Sequence, residues 1–135
     1  MIRLRMPLWL MICFVACLLS GCGEKGPKLY DISGTASYDG VPIEKGEISF
    51  VPADATQSPD GAAIENGKFQ LKAQAGPKTV QIRGSRPLPK ERQDNPQMGL
   101  LYEDYIPAQF NSSSTLKEEV KASGGNNFTF DLKSK

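Results

Sequence analysis

No histidine occurs anywhere in the 135 residues. Without imidazole there is no Ser-His-Asp or Cys-His machinery, no His-ligated zinc and no ordinary base titrating near neutral pH. Cysteine is nearly as scarce. The three present are Cys13, Cys17 and Cys22, so everything beyond position 22 lacks both thiol and disulfide. The single tryptophan, Trp9, sits in the same opening stretch. Charge excess is missing too: 16 Lys+Arg meet 15 Asp+Glu, a balance that excludes the basic footprint of a nucleic-acid binder. Past Leu19 there is no long apolar run and no sustained helical period. Asp94, Glu103 and Asp104 follow no calcium-loop spacing, so no metal is expected.

What is present begins with MIRLR, two arginines and no acid, followed by an uncharged run of 13 residues from Pro7 to Leu19. A helix spanning the bilayer core needs ~20 apolar residues, so this run is too short to cross. A basic start, a short apolar centre and small residues at the end describe a secretory signal. Leu19-Ser20-Gly21-Cys22 resembles the lipobox of bacterial lipoprotein precursors. That resemblance implies cleavage before Cys22, a diacylglycerol on its thiol and an acyl chain on its new amino group. Several acyl chains, at ~0.8 kcal/mol per buried methylene, hold a protein on a membrane far more firmly than one. The expected organisation is a signal peptide over 1–21, a lipidated terminus and tether over 22–28, and one domain over 29–133. Localisation follows: the extracytoplasmic side of a bacterial envelope, on the inner or the outer membrane.

From Leu29 onward, short runs of β-formers alternate with turn residues. Strands are predicted over 30–38, 46–52, 61–65, 68–73, 78–84, 115–121 and 127–133. Asp39-Gly40 and Asn66-Gly67 are the pairs that tight hairpins require; Gly76-Pro77 and Gly124-Gly125-Asn126 are read as breaks. Alternation predicts an inner set of Ile48, Phe50, Ile64, Phe69, Leu71, Val80, Ile82, Leu116, Val120, Phe128, Phe130 and Leu132. About seven short antiparallel strands of this kind argue for an all-β Greek-key sandwich.

Taken in order, ISGTASYDGVPIEKGEISFVPAD, GAAIENGKFQL, GPKTVQIRGSR, EDYIPAQFNSSSTLKEEV and NNFTFDLKSK resemble the small bacterial lipoproteins with a carboxypeptidase-regulatory-like, or transthyretin-like, domain. The resemblance covers nearly all of residues 29–135. It implies a seven-stranded prealbumin-like sandwich outside the cytoplasm, and it implies no activity.

Between the fifth and sixth predicted strands lies a long irregular segment, residues 85–114. Its first part is basic, with Arg86, Lys90 and Arg92 following Arg83; its second is acidic and aromatic, with Tyr102, Glu103, Asp104, Tyr105 and Phe110. One reading is a partner-binding surface in which Arg83, Arg86, Lys90 and Arg92 grip anionic groups while Tyr102 and Tyr105 supply flat contact area. The other is a crossover pinned to the core by Tyr105, Ile106 and Phe110. Lys68, Gln70, Lys72, Thr79, Gln81 and Arg83 share outward parity and read as a solvated face. Glu118 shares parity with Leu116 and Val120, so it is expected to point inward and guard an edge strand. Lys–Asn isopeptide links of some surface sandwiches need a buried lysine, and every strand lysine here falls on polar parity or at a strand end, so none is expected.

These readings converge on a non-catalytic binding module without cofactor, whose partners are the membrane through its lipid and another envelope protein. Carbohydrate recognition and a passive structural lipoprotein are the alternatives.

Overall fold

The computed structural model describes residues 23, 25–93 and 99–135. The signal region and the lipobox residues Leu19, Ser20, Gly21 and Cys22 lie outside the described residues. Nine strands form a curled, mainly antiparallel sheet: β1 (Leu29–Tyr38), β2 (Val41–Pro42), β3 (Lys45–Pro52), β4 (Asp60–Glu65), β5 (Lys68–Gln74), β6 (Gly76–Pro87), β7 (Tyr102–Asp104), β8 (Leu116–Val120) and β9 (Asn126–Leu132). The described residues are all-β, as the period-2 pattern predicts.

Each of the seven predicted strands is found, and two short ones, β2 and β7, are added. Both are too short to show an alternation of their own. Asp39-Gly40 turns β1 into β2 and Asn66-Gly67 turns β4 into β5, all four with positive φ, the backbone state those residues tolerate. Gly76-Pro77 does not break the chain but opens β6. At the first positions of a strand a missing N–H costs little, and the Pro77 carbonyl accepts from Ala53 N at 3.2 Å.

The order is β2-β1-β5-β4-β3-β6-β7, with β8 added to β6 and β9 to β1. The pairing is not wholly antiparallel, because β9 runs parallel to β1, Ile32 opposite Asn126 and Tyr38 opposite Leu132. Gly34 makes this possible: a Cβ there would stand 2.0 Å from the Phe128 carbonyl oxygen and 2.6 Å from Phe69 Cζ. β4 and β5 pair only at Glu65 and Lys68, so the sheet folds sharply at that hairpin.

The core lies inside the fold of the sheet. Ile48, Phe50, Ile64, Phe69, Val80, Ile82, Val120, Phe130 and Leu132 are buried as predicted, and Leu71, Leu116 and Phe128 pack against them half-buried. Ile32, Ala36, Ile43, Ala73 and Ile106 complete it. The rings of Phe50, Phe69, Phe128 and Phe130 form a chain with centroid separations of 5.8 to 6.4 Å, the spacing of tilted aromatic pairs.

The expectation that no strand lysine is buried is also overturned. Lys78 is buried, 2% exposed, because β6 starts two residues earlier than predicted and places Lys78 on the inward face with Val80 and Ile82. Its Nζ donates to Gln57 Oε1 at 3.4 Å. Glu118 sits opposite Lys78 in the β6–β8 register and is half-buried, the intermediate position an edge strand allows.

Candidate functional site

The segment 85–114 divides into two parts with different roles. Its second part is a clamp on the core. Tyr105 N–H donates to the Gly84 carbonyl, Asn111 Nδ2 donates to the carbonyls of Ile106 and Pro107, and Ser114 Oγ donates to the Val80 carbonyl. Ile106 is buried, and Phe110 packs against the core. Gly84 is the seat for this contact, since a Cβ there would lie 2.8 Å from Ile106 Cγ1 and 3.0 Å from Tyr105 Cε1. The crossover reading therefore describes residues 105–114.

The first part is an arm rather than an irregular loop. β6 runs on to Pro87 and is met by β7, Ser85 opposite Asp104 and Pro87 opposite Tyr102, with Leu88 N–H reaching the Leu101 carbonyl. Glu103 locks this arm. It accepts from Arg86 Nε at 3.0 Å and from Arg92 Nη2 at 2.7 Å. The Arg86 hydrogen bond, with the positive charge of both arginines behind it, holds the Glu103 carboxyl below the usual range against a smaller opposing effect of burial.

Facing the arm is a second wall built from the end of β1, β2 and the start of β3. Ala36 N–H donates to the Gly67 carbonyl, Gly67 N–H to that of Ile43 and Asn66 N–H to that of Glu44, which fastens it to the β4–β5 turn. Between the walls runs a groove of about 650 Å³. Tyr38, Val41, Pro42, Glu44 and Lys45 line one side; Arg86, Pro87, Tyr102 and Tyr105 line the other. Val41 is 64% exposed and Tyr102 47%, so the apolar lining is open to solvent.

The aromatic rings of the groove carry cations. Arg86 Cζ lies 5.1 Å from the Tyr105 centroid, and Lys45 Nζ lies 5.7 Å from that of Tyr102, both within cation–π range. Tyr38 meets Tyr105 edge to face at 6.0 Å, joining the two walls. Burial pushes the Tyr105 phenol above its ordinary range; Arg86 opposes this and Glu44 adds to it.

Of the residues singled out from sequence, Arg86, Tyr102 and Tyr105 come together in the groove. Arg83 lies on the outer face beside it, 3.8 Å from Asp104. Lys90 and Arg92 sit on a single 3₁₀ turn and do not line the groove; Arg92 instead braces Glu103. Sequence reasoning missed Tyr38, Val41, Pro42, Glu44 and Lys45. An apolar Val-Pro pair directly after a tight turn was a signal of exposed contact surface, but nothing local told which wall it would face.

Among the described residues there is no group of His, Cys, Asp and Glu side chains suited to hold a metal ion, and no helix long and apolar enough to cross a membrane. No family model matches the chain, and the search of curated proteins finds none similar. Among solved structures, a 9R-lipoxygenase from Cyanothece PCC8801 aligns at a TM-score of 0.28 and 16% identity, over 78% of this chain. The chain spans 16% of that enzyme's length, and so slight a likeness carries no argument.

Proposed function

We propose that this protein is a lipid-anchored, non-catalytic binding module on the extracytoplasmic side of a bacterial envelope, and that the tyrosine-lined groove is where it meets another envelope protein. The lipobox-like Leu19-Ser20-Gly21-Cys22 supports the anchor. The fold supports the module as a sandwich of transthyretin-like type. β5-β1-β9 makes one layer and β4-β3-β6-β8 the other, they join at the Asn66-Gly67 corner, and the apolar core fills the space between.

The observation that carries the reading is the groove's position on β1. The tether enters at Leu29 and the groove begins at Tyr38, the other end of a ten-residue strand. At ~3.3 Å per residue the groove lies roughly 30 Å from the tether's entry, and a lipid at the tether would leave that pole facing away from the membrane. A lipid-held protein presents that pole to whatever approaches it. The chain brings no histidine to the groove, and its carboxylates there are exposed, which favours binding over catalysis.

The half-exposed ring of Tyr102 favours one second reading, a glycan stacked on the tyrosines. Envelope cross-linking of the full-length protein beside Tyr102→Ala and Arg86→Ala variants separates these readings. Loss of one cross-linked protein from both variants supports the groove as its contact. Unchanged capture by both variants moves the site elsewhere, and displacement by soluble oligosaccharide instead favours the glycan.

A further inference from the structure

The arginines expected to grip anions are already engaged within the chain: Arg86 and Arg92 on Glu103, Arg83 on Asp104. Around the same pole, Asp39, Glu44, Glu47 and Glu65 are exposed and form no ion pair among the described residues. Asp39 and Glu44 stand on the rim of the groove, and Glu44, Glu47 and Glu65 line the hollow next to it. Against them the groove offers a single amine outside any ion pair, Lys45. The groove's own lining balances, Asp39 and Glu44 against Lys45 and Arg86, but counted with the hollow beside it, which adds Glu47, Glu65 and Asp104 against Arg83, this pole carries a negative surplus.

The rings have the matching preference. Tyr105 and Tyr102 each hold a cation of this chain at 5.1 and 5.7 Å, and Tyr102 keeps nearly half its surface free for more. Aromatic faces beside carboxylates attract lysine and arginine by the ring quadrupole and by charge together.

The backbone restricts how a partner docks. β2 has two residues, one of them Pro42, and Pro87 lines the groove from the arm. Proline offers no N–H to a ladder, so an incoming strand gains little main-chain pairing at this rim. What fits is an extended segment bound through its side chains.

Resting on the groove reading above, we propose that the groove takes a lysine- or arginine-bearing extended peptide segment of the partner, its cations laid against Tyr102 and the Asp39–Glu44 rim and its apolar residues on Val41 and Pro42.

The test uses full-length protein in detergent and two fluorescent probes, an alternating lysine–proline dodecapeptide and its glutamate–proline counterpart. Proline keeps both extended. Anisotropy is read at about 0.15 M salt, where the Debye length is near 8 Å and distant charges are largely screened. The lysine peptide is expected to bind at least about tenfold more tightly than the glutamate peptide. Tyr102→Ala and the double variant Asp39→Asn/Glu44→Gln should each weaken it by a similar factor, while Asp54→Asn, at the opposite pole, leaves it unchanged. Circular dichroism of each variant checks that the sheet is intact. Equal affinity for both probes overturns the proposal, as does lysine-peptide binding that Tyr102→Ala leaves untouched. If envelope cross-linking depends on Tyr102 yet the lysine peptide does not bind, this inference falls and the groove reading stands. If cross-linking ignores Tyr102, the groove reading itself falls.

Discussion

Tyr38, the last residue of β1, meets Tyr105, the first residue beyond β7, edge to face with centroids 6.0 Å apart and planes at 67°. They are far apart in sequence and belong to opposite walls of the groove, so the pair joins the groove to the core clamp beneath it. Phe110 approaches Tyr38 in the same manner at 6.5 Å. A double-mutant cycle with Tyr38→Ala and Tyr105→Ala, followed by denaturant unfolding, should return a coupling of about 0.5–1.5 kcal/mol. Additive losses would mean that the walls do not support one another.

Gly84→Ala tests the same contact from below. The new Cβ crowds Ile106 and Tyr105, and overpacking of this kind costs about 1–3 kcal/mol. Because the crowded ring is the floor of the groove, partner capture should fall in this variant more than in a variant of equal stability elsewhere, such as Leu71→Ala.

Lys78 presents a stability question. Its amino group is buried and makes one long hydrogen bond, to Gln57. An amine buried with a single long hydrogen bond loses more on leaving water than that bond returns, and its partner Gln57 is half-exposed and can turn to water instead. Lys78→Met should therefore keep or raise the melting temperature, whereas Lys78→Ala leaves a cavity and lowers it. A clear loss in the Met variant would show that the amine is held more strongly than this one bond indicates.

Glu103 makes the arm acid-sensitive. Its folded carboxyl is held below the ordinary 4.5, first by the Arg86 hydrogen bond. A depressed carboxyl contributes stability above its unfolded value, and that contribution is lost as the pH falls from about 4.5 through the folded value. The protection of the Tyr102–Asp104 amides, taken relative to their intrinsic exchange rate at each pH, should fall in that window. Glu103→Gln should show low protection there at neutral pH already, with a flatter acid dependence. If parent and variant share one profile, Glu103 is not the lock of the arm.

At the alkaline end Tyr105 is the marker. Burial raises its phenol above 10, with Glu44 adding and Arg86 opposing. A raised group stabilises the fold below its unfolded value and loses that contribution as pH rises through the folded one. In an ultraviolet titration the last phenol to ionise should vanish in Tyr105→Phe. Glu44→Gln should move it down and Arg86→Gln up.

The anchor is tested most directly by labelled palmitate. Incorporation should occur in the parent and disappear in Cys22→Ser, which should leave the membrane fraction unless the uncleaved apolar run retains it.

Much of this protein is legible along the chain because the physics involved is local. Alternation from Ile48 to Phe50, from Phe69 to Leu71 and from Phe128 to Leu132 picks out core strands, since successive side chains of a strand point to opposite faces. Asp39-Gly40 and Asn66-Gly67 mark hairpins because few residues accept positive φ. The missing histidine and the clustering of cysteine before position 23 bound the chemistry without any fold at all.

Other features were decided only in three dimensions. The parallel seat of β9 on β1, the burial of Lys78 and the meeting of Tyr38 with Tyr105 each depend on where distant strands settle. The charge balance at this pole is of the same kind: Arg86 and Arg92 read as open cations along the chain, and only folding brings Glu103 between them. Periodicity specifies which side of a strand is apolar, but partner and register come from packing across the sheet, and a binding surface is made of such pairings.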